Sequence, residues 1–259
     1  MASTKQQVFE FLCKADGGFV SGGGISEHLG ISRTAVWKAI QSLRQEGCQI
    51  EAVPNQGYRL LPSDEFSPLE LRRKLSTKVL GKELIFLEEV SSTNEYLKSH
   101  MELPAGTIVF AQRQTSGKGK AKILFASPEG EGLYFSILLR PSMMFDQVGA
   151  LREQIMTGIS QTINQVCGIA LELEVPNRLL WNGKKVSGIL MEVSVESESG
   201  MVESVIAGIG IYVNCTFPEQ ETECDSLNRI CGKTVNRLDL ASQLIQDLDR
   251  RIIELFGQA

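Results

Sequence analysis

The chain has 259 residues, of which 42% are hydrophobic and 22% charged, enough for a small domain and a medium-sized one. A formal net charge of −5 argues against a protein that simply coats nucleic acid. The N-terminus lacks an apolar signal segment, and no apolar run is long enough to cross a membrane, so we expect a cytoplasmic protein that does not bind membranes.

Residues 1–62 have the pattern of a winged helix-turn-helix domain. The elements expected there are a helix over 5–15, a Gly-rich loop over 21–24, a short helix over 25–29, a helix from the cap Ser32 to Glu46, and strands over 49–53 and 58–61. This segment has six Lys and Arg against five Asp and Glu, and three basic residues without an acid lie between Arg33 and Arg44. A local basic face on an acidic protein favours a sequence-specific DNA reader.

The second helix of a helix-turn-helix enters the major groove of double-stranded DNA, where its N-terminal residues face the bases. Arg33 suits bidentate contact with guanine, and short hydroxyl side chains suit phosphate or base edges. The DNA-binding candidates on the helix and the wing are Ser32, Arg33, Thr34, Lys38, Tyr58 and Arg59. The alternatives are that the winged fold is a protein-interaction module and that Trp37 is simply a core residue.

A connector over 63–82 precedes a second domain over 83–259. Ser67 and Pro68 predict the cap and first turn of a short helix that runs to Leu75. Beyond it, strands are expected over 83–87, 107–111, 132–139, 184–195 and 202–213, and helices over 147–166 and 238–256. This order predicts an α+β fold, with a mixed sheet covered by helices.

Cysteine and histidine spacing predicts no metal site. The six cysteines form no CxxC pair, and the chain has only two histidines. We therefore expect free thiols in a reducing compartment.

Several short stretches together resemble the bifunctional biotin protein ligase and biotin operon repressor family. The DNA-binding part of this resemblance rests on residues 31–38, 50–53 and 57–60, and the remainder on residues 92–94, 114–117, 127–128, 132–136, 183–185 and 188–192. Members of the family make biotinyl-adenylate from biotin and ATP, transfer biotin to a lysine of a carrier protein, and repress biotin genes.

The resemblance implies a class II synthetase-like second domain that binds biotin and a homodimer whose assembly is driven by ligand. The implied biotin contacts are Ser92, Thr93, Asn94, Gln114, Gly117, Lys118, Tyr134, Ser136, Lys185, Gly188 and Ile189. If the chain is an active ligase, Lys120 and Lys185 are its catalytic candidates, ATP and magnesium its cofactors, and a biotin carrier protein its partner.

The nucleotide side departs from the family. The family loop Gly-Arg-Gly-Arg-Arg-Gly-Arg is replaced here by Gly-Lys-Gly-Lys-Ala-Lys-Ile over 117–123, and lysine lacks the planar fork of arginine. The family's Lys-Trp-Pro-Asn-Asp becomes Glu-Val-Pro-Asn-Arg over 174–178, and Tyr212 replaces an asparagine. The sequence also stops at Ala259, where family ligases continue into a small C-terminal β domain, so we expect that domain to be absent.

These departures predict a DNA-binding repressor that senses biotin or a related ligand, with ligase activity weakened or lost. Two alternatives remain open. One is an active bifunctional ligase and repressor, and the other is a repressor for a different ligand whose carboxylate meets the lysine loop.

Overall fold

A computed structural model describes residues 3–15, 17–45, 48–61, 66–117, 125–218 and 223–257. The chain divides into two compact units, Met1–Lys74 and Leu75–Ala259. The short helix of the connector therefore belongs to the first unit.

The first unit is a helix-turn-helix with a β-hairpin. Its elements are α1 (Thr4–Lys14), α2 (Gly22–Leu29), α3 (Arg33–Gln45), β1 (Ile50–Val53), β2 (Gly57–Leu60) and α4 (Pro68–Lys74). Apolar residues recur at helical spacing in α1 and α3 and form one buried core, which includes Phe9, Leu12, Ile25, Ile40 and Leu43. The hairpin pairs antiparallel, with Ile50 opposite Leu60. The predicted order of elements is confirmed.

The predicted Gly-rich loop over 21–24 is wrong, because these glycines form the first turn of α2. Ser21 is the N-cap, and its Oγ accepts the N–H of Gly24 at 2.9 Å. This bond satisfies a free helix donor and offsets the low helix propensity of glycine. Ser32 caps α3 as predicted, since its Oγ accepts the N–H of Ala35 at 3.1 Å.

The second unit is a seven-stranded mixed sheet with helices. Its elements are β3 (Leu84–Val90), α5 (Thr93–Lys98), β4 (Ile108–Gln114), β5 (Leu133–Leu139), α6 (Val148–Cys167), β6 (Glu172–Glu174), β7 (Arg178–Trp181), β8 (Lys184–Val195), β9 (Val202–Ile211), α7 (Leu227–Cys231) and α8 (Arg237–Phe256). The strand order is β3-β4-β5-β9-β8-β7-β6, with β3 and β4 parallel and the other neighbours antiparallel. The α+β prediction is confirmed.

Four elements of the second unit were not predicted: α5, β6, β7 and α7. Each has three to six residues, so none completes enough periods to give a clear hydrophobic pattern. Three of them matter for the site, because α5 carries Thr93 and Asn94 of the Ser-Thr-Asn stretch and the β6–β7 hairpin carries Glu174 and Arg178.

The longest helices, α6 and α8, pack against each other. Gly158 permits this contact, since a Cβ there would lie 2.9 Å from Leu248. The buried Asp249 of α8 accepts the backbone N–H groups of Lys78, Val79 and Leu80 at 2.9, 2.8 and 2.7 Å, which fixes the segment before β3. Within the described ranges, no helix is both long and apolar enough to cross a membrane.

Candidate ligand-binding and DNA-binding sites

One row of directly paired residues crosses five strands of the sheet. Glu174 pairs with Arg178, Arg178 with Gly188, Gly188 with Gly210, and Gly210 with Tyr134. Directly opposed residues of an antiparallel pair project on the same face, so all five share one face. The two glycines leave a depression in the middle of the row, which we call the glycine trough.

The ring of Phe125 lies in the glycine trough. A Cβ on Gly210 would lie 2.4 Å from Cζ of this ring, and a Cβ on Gly188 would lie 3.5 Å from its Cε2. The ring also stacks on Tyr212, with centroids 4.8 Å apart and planes inclined by 20°. A ligand that enters the trough therefore has to displace Phe125 or bind against it.

A cluster of buried polar side chains lies at one end of the trough. Ser136 follows Tyr134 by two residues on β5 and shares its face, and its Oγ lies 2.6 Å from both Thr93 Oγ1 and Asn94 Oδ1. Gly208 leaves room for this contact, because a Cβ there would lie 2.3 Å from Asn94 Oδ1. The amide of Asn94 in turn donates to Glu192 at 2.8 Å.

Gln114 extends this polar cluster toward the glycine-rich loop. Its Oε1 accepts the backbone N–H of Thr93 at 3.0 Å, and its Nε2 donates to Ser127 Oγ at 3.0 Å. Gly117 packs closely against the same residues, since a Cβ there would lie 2.6 Å from the carbonyl oxygen of Phe125. Hydroxyl and amide groups both donate and accept hydrogen bonds, which suits a ligand with neighbouring N–H and C=O groups.

A lysine lies above the other side of the trough because of a β-bulge. Leu179 pairs with Ser187 but Leu180 pairs with Lys185, so one residue of β8 is extra and the side chains change face. A Cβ on Gly188 would lie 3.0 Å from Cε of Lys185, whose Nζ lies 4.3 Å from the centroid of the Phe125 ring. Burial lowers the pKa of Lys185; the nearby Cys224 acts in the opposite direction, and the positive charge of Arg178 makes a smaller contribution that lowers the pKa.

Glu174 and Arg178 form an ion pair with each other across the β6–β7 hairpin. Their side chains are 43% and 49% exposed. The hydrogen bond to Glu174 is the main cause that raises the pKa of Arg178. Each of the two residues has the charge opposite to that of the family residue at its position, and in the structure the two charges neutralise each other.

The structure brings most of the implied biotin contacts together. Ser92 is the buried N-cap residue of α5, directly before Thr93. Tyr134 borders the trough, with its ring centroid 6.2 Å from that of Phe125. Ile189 is an exception, because strand alternation directs its side chain to the face opposite that of Gly188. Lys118 and Lys120 lie outside the described residues.

Sequence reasoning did not place Phe125 and Ser127 among the site residues. The signal available for Phe125 was an aromatic residue next to a glycine-rich segment, and only the register of β8 and β9 shows which glycines it covers. All six cysteines, each within a described range, are free thiols.

The exposed face of α3 carries Arg33, Thr34, Trp37 and Lys38. Trp37 is 52% exposed, so the expectation that it is a core residue is wrong. On the wing, Arg59 donates to Glu51 at 3.1 Å and lies 4.5 Å above the ring of Phe19. Its charge is therefore already paired within the domain, unlike the arrangement expected from sequence.

Comparisons with known proteins match both units. Residues 4–59 match an HTH domain family, and residues 86–211 match the biotin/lipoate A/B protein ligase family. The "Bifunctional ligase/repressor BirA" of Bacillus subtilis is 36% identical over 97% of this chain and 79% of its own length. The protein of the same name from Escherichia coli is 29% identical over 94% of this chain and 75% of its own length.

A solved structure supports the same relationship. The "Biotin protein ligase from Aquifex aeolicus in complex with biotin and ATP" is 32% identical, with a TM-score of 0.59 over 69% of this chain and 73% of that chain. The identity to the Bacillus protein extends over nearly the whole chain, through both the DNA-binding and the ligase-like unit. The chain therefore belongs to the BirA-type family of bifunctional biotin protein ligases and repressors.

Proposed function

We propose that this protein is a DNA-binding transcriptional repressor whose second unit binds biotin or a related acid and whose ligase activity is weakened or lost. The observation that carries the proposal is the glycine trough, with buried hydroxyl and amide groups at one end and the partly buried Lys185 ammonium beside it. The ureido ring of biotin matches the hydroxyl and amide groups, its apolar chain matches the trough, and its carboxylate matches the ammonium of Lys185. A repressor acts on DNA, so the proposal includes a cytoplasmic location.

The nucleotide side supports the weakened activity. Glu174 replaces a family lysine, and its carboxylate is ion-paired with Arg178. Tyr212 replaces a family asparagine and stacks on the ring in the trough. ATP would supply the adenylyl group to an active enzyme, and these residues are a poorer fit for a nucleotide than the polar cluster is for biotin.

The second candidate is an active bifunctional ligase and repressor. The partly buried amine of Lys185 favours it, since this residue matches the family's biotin-contacting lysine. In that case ATP and magnesium are required, and a biotin carrier protein is a partner. The relatives named as bifunctional ligase/repressors make this the alternative to exclude.

The repressor proposal predicts that Arg33→Ala weakens binding to the specific operator about 5- to 150-fold, because it removes a fork-shaped donor from a base edge. Arg33 is exposed in the first turn of α3. The measurement is a mobility-shift titration on an operator selected by the wild-type protein from random DNA. Lys14→Ala removes an exposed basic side chain from α1, and as the matched control it should bind like wild type. Equal operator affinity for Arg33→Ala would reject this recognition helix.

The proposal also includes a homodimer that ligand stabilises. Met144 and Phe145 are 43% and 57% exposed, and neighbouring apolar side chains of this size are typical of contact surfaces. Phe145→Ser should weaken dimerisation at least about tenfold, since each copy loses an aromatic ring that the dimer interface would bury. Sedimentation equilibrium with and without biotin measures this, and Leu255→Ser, an exposed apolar position on α8, is the control. An identical monomer fraction with and without biotin contradicts ligand-linked assembly.

A further inference from the structure

The Glu174–Arg178 pair is inverted relative to the family motif. In the family, the cation stands at the first position of the five-residue stretch and the acid at the last, whereas here Glu174 is first and Arg178 last. The exchange keeps the pair neutral, but it moves the cation from the edge strand β6 to β7. The cation is thereby one strand nearer to the glycine trough.

Strand register places Arg178 beside the trough. Arg178 is the direct partner of Gly188, so its side chain leaves the sheet on the trough side. Lys185 reaches the same spot from the other direction, because its Cε would lie 3.0 Å from a Cβ on Gly188. The cations of Arg178 and Lys185 therefore lie on either side of Gly188, which has no side chain. Their proximity is also seen in the pKa of Lys185, which Arg178 lowers.

Lys185 has no carboxylate partner in the part of the chain that the structure describes. Its Nζ lies instead over the face of the Phe125 ring at 4.3 Å. A partly buried ammonium whose neighbours are an aromatic ring and the thiol of Cys224 remains poorly compensated for the loss of water. An anion at this position would replace the missing solvation.

Arg178 is held by a contact that a ligand can replace. About half of each side chain in the Glu174–Arg178 pair is exposed, and exposed ion pairs contribute little to stability. The guanidinium presents a planar fork that binds carboxylate or phosphoryl oxygens at two points. Glu174 thus competes with an incoming anion for the same donors.

We propose that Arg178 and Lys185 form a two-cation subsite for an oxyanion, and that Glu174 competes with this anion for Arg178. The oxyanion is a carboxylate, as in a free acid ligand, or a phosphoryl group, as in a nucleotide adduct. This inference rests on the proposed function in assigning the trough to a biotin-like ligand.

The test is calorimetric titration of the full chain with biotin, biotin methyl ester and inorganic pyrophosphate. Arg178→Gln should weaken binding of the two anionic probes at least about tenfold and leave the uncharged ester within twofold, because only the anions use the guanidinium. Glu174→Gln should strengthen anion binding severalfold by freeing Arg178. Arg250→Gln removes an exposed arginine that is ion-paired with Asp247 on α8, and it should change none of the three affinities.

The outcomes separate the subsite from the proposed function. Two results would reject the subsite while the proposed function stands, provided that wild type binds biotin. In the first, Arg178→Gln and Glu174→Gln leave the affinities for both anions unchanged. In the second, they change the affinities for biotin and its methyl ester equally. If wild type binds no biotin but binds pyrophosphate through Arg178, the subsite stands and the proposed ligand is wrong. If the variants change the affinity for biotin but not the affinity for pyrophosphate, the subsite binds a carboxylate.

Discussion

Gly188→Val is expected to abolish biotin binding, with a loss of affinity of at least about a hundredfold, which corresponds to about 3 kcal/mol. The new side chain would fill the floor of the glycine trough, where even its Cβ would lie 3.0 Å from Cε of Lys185 and 3.5 Å from the Phe125 ring. Both neighbours are side-chain atoms that can shift, so the fold should survive with a destabilisation of about 1–3 kcal/mol. Calorimetry measures the affinity, and urea unfolding measures the stability.

The matched control is Gly149→Val near the start of α6, where a Cβ would meet no atom within 4 Å. It should bind biotin like wild type, which shows that valine is harmful only where it occupies ligand space. Gly188→Ala should fall between wild type and valine, because it adds one carbon to the same floor. If Gly188→Val is folded and binds biotin within about threefold of wild type, the trough is not the ligand site.

Elements with long regular patterns were predictable from the sequence. The strand over Lys184–Val195 has the predicted bounds. The helix predicted over 147–166 is shifted by one residue at both ends, and the helix predicted over 238–256 begins one residue earlier. The helix-turn-helix was predictable because Ser32 caps α3 and apolar residues repeat on its inner face. Hydrophobic periodicity and helix capping depend only on residues close together in the chain, so a single sequence is enough to recognise them.

The geometry of the site depends on register, which no local pattern contains. Gly188 and Gly210 lie opposite each other only because β8 and β9 pair in one register, and the bulge that turns Lys185 toward them involves β7. The pairing of Glu174 with Arg178 likewise needs the β6–β7 hairpin, whose strands were too short to predict. The motif order therefore indicated the residue types of the site, while their mutual contacts required the sheet.

The sensor interpretation predicts that this protein labels a biotin carrier domain at least about a hundredfold more slowly than the Bacillus subtilis relative under the same conditions. Two lost charge-assisted contacts to phosphate are enough for such a decrease, since about 1.4 kcal/mol corresponds to a tenfold change in rate. Glu174 and Arg178 supply the structural reason, because their charges bind each other across the hairpin. The measurement is incorporation of biotin into the carrier with ATP and magnesium present.

Exchanging the charges distinguishes a misplaced cation from a site that has lost its chemistry for other reasons. The double variant Glu174→Lys, Arg178→Asp restores the family arrangement and preserves the ion pair, so stability should change little while labelling increases at least about tenfold. Lys185→Met should remove any residual labelling in either background, because it deletes the partly buried amine beside the trough. Fast labelling by wild type would instead show that Arg178 and the lysines of the loop replace the family's cations, and the protein would then be the active bifunctional enzyme.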